Sequence, residues 1–88
     1  NRSVTQSSYN APCTPAVGGL DSGFKPPNGS DVNRFRTWNF TVNNDQQPMW
    51  FFCQQLLPVP HCNAGMVAVV NAPSYGFENF SAFQAAAQ

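Results

Sequence analysis

Charge is the scarcest commodity in this sequence. Only 9% of the 88 residues are charged, and the formal net charge is zero. A nucleic-acid binder would show a basic stripe, and an acidic disordered tail would show a run of one sign. Neither is present. Histidine occurs once, as His61, and acidic residues are sparse. That excludes a hydrolytic triad and argues against an enzyme. No apolar run is long enough to span a bilayer. The longest, Met66 to Val70, suits a buried strand instead. No leader-type segment is present either, so the chain is expected to be a mature or truncated form. It carries no internal repeat.

What the sequence does contain points to a small secreted domain. Hydrophobic residues make up 42% and aromatics 14%, enough for a real core. Eight prolines and six glycines make the chain turn often. A chain of this length forms one domain and usually needs a brace. Three cysteines offer one brace and leave one thiol over. Few charges, many Asn, Gln, Ser and Thr, and a cysteine framework fit an oxidising, extracellular setting. Three acceptor tripeptides for N-glycosylation agree: Asn28-Gly29-Ser30, Asn39-Phe40-Thr41 and Asn79-Phe80-Ser81. Asn28 is the best placed, in a Pro- and Gly-rich loop. Asn79 is the worst placed, on a predicted helix.

Periodicity gives a coarse map. Ser3 to Ser7 reads as a strand by its β-branched content. Residues 10–30 turn to Pro, Gly, Ser and Asn, an ordered loop pinned by Cys13 and by Leu20 and Phe24. Trp38, Phe40 and Val42 alternate with Asn39 and Thr41, the pattern of a half-buried strand. Asn43-Asn44-Asp45 is a turn. Met49 to Cys53 is apolar on both faces, as a central strand would be. Met66 to Val70 is a further strand, broken by Asn71-Ala72-Pro73-Ser74. Phe77, Phe80, Phe83 and Gln84 follow helical spacing and predict a short helix from Phe77 to Ala87. Trp38 and Trp50 could form a sugar-stacking platform, but their alternating neighbours favour core packing.

The segment that carries chemistry runs from Cys53 to Met66. A cysteine, a histidine and a methionine converge there on one loop between two strands. Thiolate, imidazole and a weak axial thioether are the donor types of blue-copper sites. The plain alternative is that all three are core and loop residues. His61-Cys62-Asn63-Ala64-Gly65-Met66 resembles the His-Cys-x-x-Gly-Met element of plant phytocyanins. Asn1-Arg2-Ser3-Val4-Thr5-Gln6 resembles an Asn-His-Ser-Val-Thr-Gln element of the secreted fungal cupredoxins, also called extracellular serine-rich proteins. The terminal Phe83-Gln84-Ala85-Ala86-Ala87 is similar to the same fungal proteins. The resemblance covers nearly the whole chain.

This resemblance implies an all-β, cupredoxin-like Greek-key β-sandwich over residues 1–88, lacking its N-terminal strands and ending in a short helix. It implies that the chain is the C-terminal portion of a longer precursor. It makes Cys53 the thiolate ligand, His61 an imidazole ligand and Met66 the axial ligand. It pairs Cys13 with Cys62, closing a long loop worth roughly 4 kcal/mol in the chain-entropy model. The rival pairing, Cys53 with Cys62, would destroy the site. Two departures stand out. Arg2 occupies the position of the second histidine ligand, and a guanidinium offers donors only. The loop between Cys53 and His61 is also longer than the usual phytocyanin loop. Arg2 could instead cap a vacated pocket, paired with Asp21 or Asp31. Without metal, Cys53 would be a buried and inert thiol.

The sequence therefore predicts a non-catalytic extracellular glycoprotein with a degenerate copper site and no bound copper. Its expected role is structural, at a cell surface, in the wall or in a self-assembled polymer. Self-association or a complementing N-terminal segment would cover the unpaired strand edges. The alternative is a copper-binding electron-transfer or copper-storage protein using Cys53, His61 and Met66.

Overall fold

The computed structural model describes residues 1–25, 37–73, 76 and 78–88. Three antiparallel strands form one sheet in the order β1-β2-β3: Thr5–Ser7 (β1), Met49–Phe52 (β2) and Val67–Val70 (β3). A 3-10 turn spans Cys62–Ala64, and one helix, α1, spans Phe80–Ala87. β2 is central, as its unbroken apolar run requires. Trp50, Phe51, Phe52 and the adjoining Cys53 are all buried.

The register sorts the two faces of the sheet. Thr5, Phe52 and Val67 share a row, and so do Ser7, Trp50 and Val69. Directly opposed residues face the same side, so these six line one face. Helix α1 covers it. The fully buried Phe83 ring sits 4.7 Å from Trp50, and Tyr9 packs edge-on against Trp50 at 5.1 Å. This burial settles Trp50 as core rather than a sugar platform. Phe51 lies on the other face, where Phe40 packs against it at 5.4 Å and Trp38 against Phe40 at 5.4 Å.

The segment from Trp38 to Val42 differs from the expected strand. Trp38 and Phe40 are half-buried and Asn39 and Thr41 exposed, so the alternation holds, but no ladder forms and Val42 is 40% exposed. Both edges of β2 are already occupied by β1 and β3. The segment therefore attaches through its rings rather than its backbone.

The loop after β1 is ordered by lacing onto that strand's outer edge. Gln6 N–H donates to Leu20 O at 2.7 Å, Ala16 N–H to Gln6 O at 2.8 Å and Ser22 N–H to Val4 O at 2.9 Å. Leu20 pins the loop as expected. Phe24 does not pin it with its ring, which is 51% exposed.

Helix α1 begins at Phe80 rather than Phe77. Asn79 is extended (φ −108°, ψ 172°), and its side chain accepts from Ala82 N–H at 2.9 Å, an N-cap that ends the chain's extended approach. Phe77 lies outside the described residues. So do Asn28 and Asp31, and the readings placed on them.

Among the described residues no helix is long and apolar enough to cross a membrane. The sheet and its C-terminal helix are consistent with a cupredoxin-like β fold.

Candidate metal centre

The site is built where β2 ends and β3 begins. Cys53 continues the β2–β3 ladder by one step, its N–H donating to Met66 O at 3.1 Å. The chain between them folds back on itself. His61 N–H donates to Gln55 O at 2.9 Å, and Met66 N–H donates to His61 O at 3.0 Å. The tip from Leu56 to Pro60 is left in solvent.

This fold-back brings the predicted donors together. Cys53 Sγ lies 3.8 Å from His61 Nδ1. Cys53 is the free cysteine and is only 3% exposed. The other ring nitrogen, His61 Nε2, lies 3.0 Å from Leu57 O. A carbonyl can only accept, so Nε2 carries the proton in the neutral ring. Nδ1 then presents a lone pair toward the sulfur. Such a hydrogen bond on the remote nitrogen is how ligating imidazoles are oriented.

Met66 is held beside Cys53 by its backbone, while its side chain is 38% exposed. Among the described residues no group of three or more His, Cys, Asp or Glu side chains could hold a metal ion.

The segment that leads into β1 runs beside the end of β2. Extending the register from Thr5↔Phe52 sets Ser3 across from Gln54, and Ser3 Oγ accepts from Gln54 N–H at 2.9 Å. Ser3 and Thr5 hydroxyls lie 2.8 Å apart, and Thr5 Oγ1 donates to Asp21 Oδ1 at 3.1 Å. A carboxylate accepts only, so the direction is set: Gln54 N–H to Ser3, Ser3 to Thr5, Thr5 to Asp21. Both hydroxyls are buried, and no buried side-chain polar atom among the described residues lacks a partner. Asp21 Oδ1 also accepts from Gly23 N–H at 2.9 Å. Arg2 itself pairs by backbone with Lys25, at 3.3 Å and 2.8 Å, and its side chain is exposed.

The loop from His61 to Met66 is fastened from outside. Cys62 is bonded to Cys13, with S–S 2.08 Å and Cα–Cα 5.8 Å. The bridge packs into a cluster with Phe52, Ala87 and Val67. Asn63 Nδ2 donates to Ala87 O at 2.9 Å, and Gln84 Nε2 donates to Gly65 O at 3.0 Å. The C-terminal helix is thus a clamp on the candidate ligand loop. Gly65 adopts φ +103°, and a Cβ there would lie 2.9 Å from Gln88 Nε2.

Compared with known proteins, the chain is 34% identical over 74 residues to the probable GPI-anchored cupredoxin-1 of Arthroderma benhamiae. The chain is related to a cupredoxin. The match covers 83% of this chain and 33% of that protein, so the chain spans about a third of its relative's length. No family model matches, and neither does a solved structure.

Of the residues singled out in the sequence, the structure joins Cys53 to His61 and Cys13 to Cys62, and it sets Met66 beside Cys53 by backbone. Asn39 is exposed outside any strand, and Asn79 is occupied as a helix cap. Three features escaped the sequence reading. The orienting group on His61 is a backbone carbonyl, which no side-chain pattern reveals. The Ser3–Thr5–Asp21 relay could have been suspected from hydroxyl residues recurring at every second strand position. The Asn63 and Gln84 clamps depend on a contact between segments distant in sequence.

Proposed function

We propose that the chain is a cupredoxin-fold domain of an extracellular or cell-surface glycoprotein, with a degenerate type 1 copper site and a structural, non-catalytic role. The observation that carries this reading is the place of Arg2. The Ser3–Gln54 hydrogen bond holds the segment after Arg2 against the end of β2, and the resemblance of residues 1–6 to the fungal Asn-His-Ser-Val-Thr-Gln element gives Arg2 the second histidine's position. A guanidinium cannot supply that donor, and His61 is the chain's single histidine. The extracellular assignment draws on the sequons, the disulfide and the GPI-anchored name of the relative. The Greek-key sandwich belongs to this reading as well. So do self-association and attachment to a wall or surface.

A second reading is favoured by the Cys53–His61 geometry. A transition-metal ion about 2.3 Å from a thiolate and about 2.0 Å from an imidazole nitrogen spaces those donors by about 3.6–3.8 Å. The observed 3.8 Å separation matches that spacing, and the Leu57 carbonyl leaves Nδ1 unprotonated. The donors that would hold it are Cys53, His61 and the Met66 thioether. This soft set suits Cu(I), which accepts low coordination, better than it suits a two-imidazole redox site. When bound, copper would supply storage of the ion or, with a fourth donor, one-electron transfer.

A copper titration of the non-reduced protein, followed by visible absorption and metal analysis, separates the readings. The degenerate, structural reading expects neither bound copper nor an intense thiolate-to-copper band. Stoichiometric Cu(I) without the band would establish storage, and the band itself would establish an electron-transfer site.

A further inference from the structure

The same Cys53–His61 pair has a second chemistry that needs no metal. Cys53 Sγ faces the unprotonated Nδ1 of His61 at 3.8 Å, and Leu57 O holds the imidazole in that tautomer. A nucleophile beside a base, with the base oriented by a third group, is the general signature of an activated side chain. Burial alone would leave this thiol inert, but Cys53 also lines a cavity of 360 Å³. That is within the size range of small-molecule sites. Its wall includes Phe24, Phe52, Leu56, Pro15 and Pro60, with the neutral amides Gln54, Gln55 and Asn63 beside them. Phe24 and Leu56 are 51% and 66% exposed, which gives the cavity an apolar rim open to solvent. Among the described residues no Asp, Glu, Lys or Arg lines it.

We infer that Cys53 is a covalent capture site for small, uncharged Michael acceptors, the class of enones and quinones. The mostly apolar wall favours a neutral carbon skeleton, its amides can hydrogen-bond the acceptor's carbonyl, and the sulfur is a soft nucleophile suited to an electron-poor alkene. In the step, the Sγ–H bond breaks and its proton passes to His61 Nδ1. A bond forms between Sγ and the β-carbon as the alkene π pair moves toward the carbonyl oxygen. The proton then returns from Nδ1 to the α-carbon. The product is a thioether, with no oxidant consumed and nothing released. The inference shares residues with the copper reading but does not rest on it.

The test is made on the intact, non-reduced protein stripped of metal with a Cu(I) chelator. N-ethylmaleimide serves as the neutral acceptor and iodoacetate as a charged alkylating agent. Intact-mass spectrometry and peptide mapping read the product. The expected result is a single maleimide adduct on Cys53, at a rate unchanged by low concentrations of urea, with iodoacetate leaving Cys53 unmodified. His61→Gln is expected to slow the adduct by at least about tenfold, with near-ultraviolet circular dichroism verifying its fold. A rate that climbs steeply with urea would mean that Cys53 reacts only in the opened chain, and would overturn the proposal. Equal rates in the wild type and a folded His61→Gln variant would overturn it too. Because no copper is present, neither failure bears on the copper titration.

Discussion

At the scale of single residues, the proposed metal site turns on three positions. Cys53 is the free thiol, His61 is the chain's single imidazole, and the proposed reading puts Arg2 in place of a second one. The storage reading requires that Cys53→Ser abolish copper uptake while leaving the fold intact. Metal analysis beside circular dichroism checks this, and unchanged affinity would remove Cys53 from the site. Arg2→His tests degeneracy directly. It adds an imidazole one residue before Ser3, whose hydroxyl accepts from Gln54 N–H next to Cys53. The expected outcome is an intense visible band on copper addition that the native chain lacks. If the variant behaves like the wild type, Arg2 does not occupy a ligand position. The donor types at 53, 61 and 66 were legible because soft sulfur and imidazole are uncommon and cluster within one loop. The tautomer was not, because it is set by the Leu57 carbonyl.

At the scale of elements, the His61–Met66 part of the loop is fastened by α1 and the disulfide. Gly65 is the tightest point. Its φ of +103° is strained for an L side chain, and an added Cβ would crowd the Gln84 and Gln88 amides at 3.3 Å and 2.9 Å. Gly65→Ala is therefore expected to destabilise the fold by about 1–3 kcal/mol, seen as a lower urea midpoint. Asn79→Ala removes the cap of α1 and should cost about 1 kcal/mol. The same chemical denaturation assay reads it. The central strand, the strand at Val67–Val70 and the C-terminal helix could all be read from hydrophobic periodicity, each to within a few residues. The segment from Trp38 to Val42 could not. Alternation reports which side chains are buried, and it says nothing about whether a neighbouring strand has a free edge to pair with.

At the scale of the whole molecule, a thin sheet is held between two aromatic contacts and a covalent bridge. Phe83 is fully buried against Trp50 and Tyr9. Phe83→Ala is expected to cost about 3–5 kcal/mol, enough to unfold much of a domain this small at ambient temperature. The Cys13–Cys62 bridge spans 49 residues, for which the chain-entropy model gives about 4 kcal/mol. Self-association has its own test. The structural reading expects the isolated chain to run as an oligomer in size-exclusion chromatography, and a stable folded monomer would count against it.

Composition and local pattern by themselves pointed to a short, net-neutral, strand-rich chain with a helical tail, cysteines enough for one bridge and a thiol–imidazole–thioether loop. These properties are local, carried by residue type and by spacing of two or of three to four along the chain. Only the tertiary structure decided that Cys13 closes onto Cys62, that Leu57 turns Nδ1 of His61 toward Cys53, and that Ser3 ties β1 to Gln54. Each of those is a contact between backbone or side-chain groups whose meeting depends on how the strands are ordered and registered. A linear sequence names the groups but leaves their separation in space to the packing.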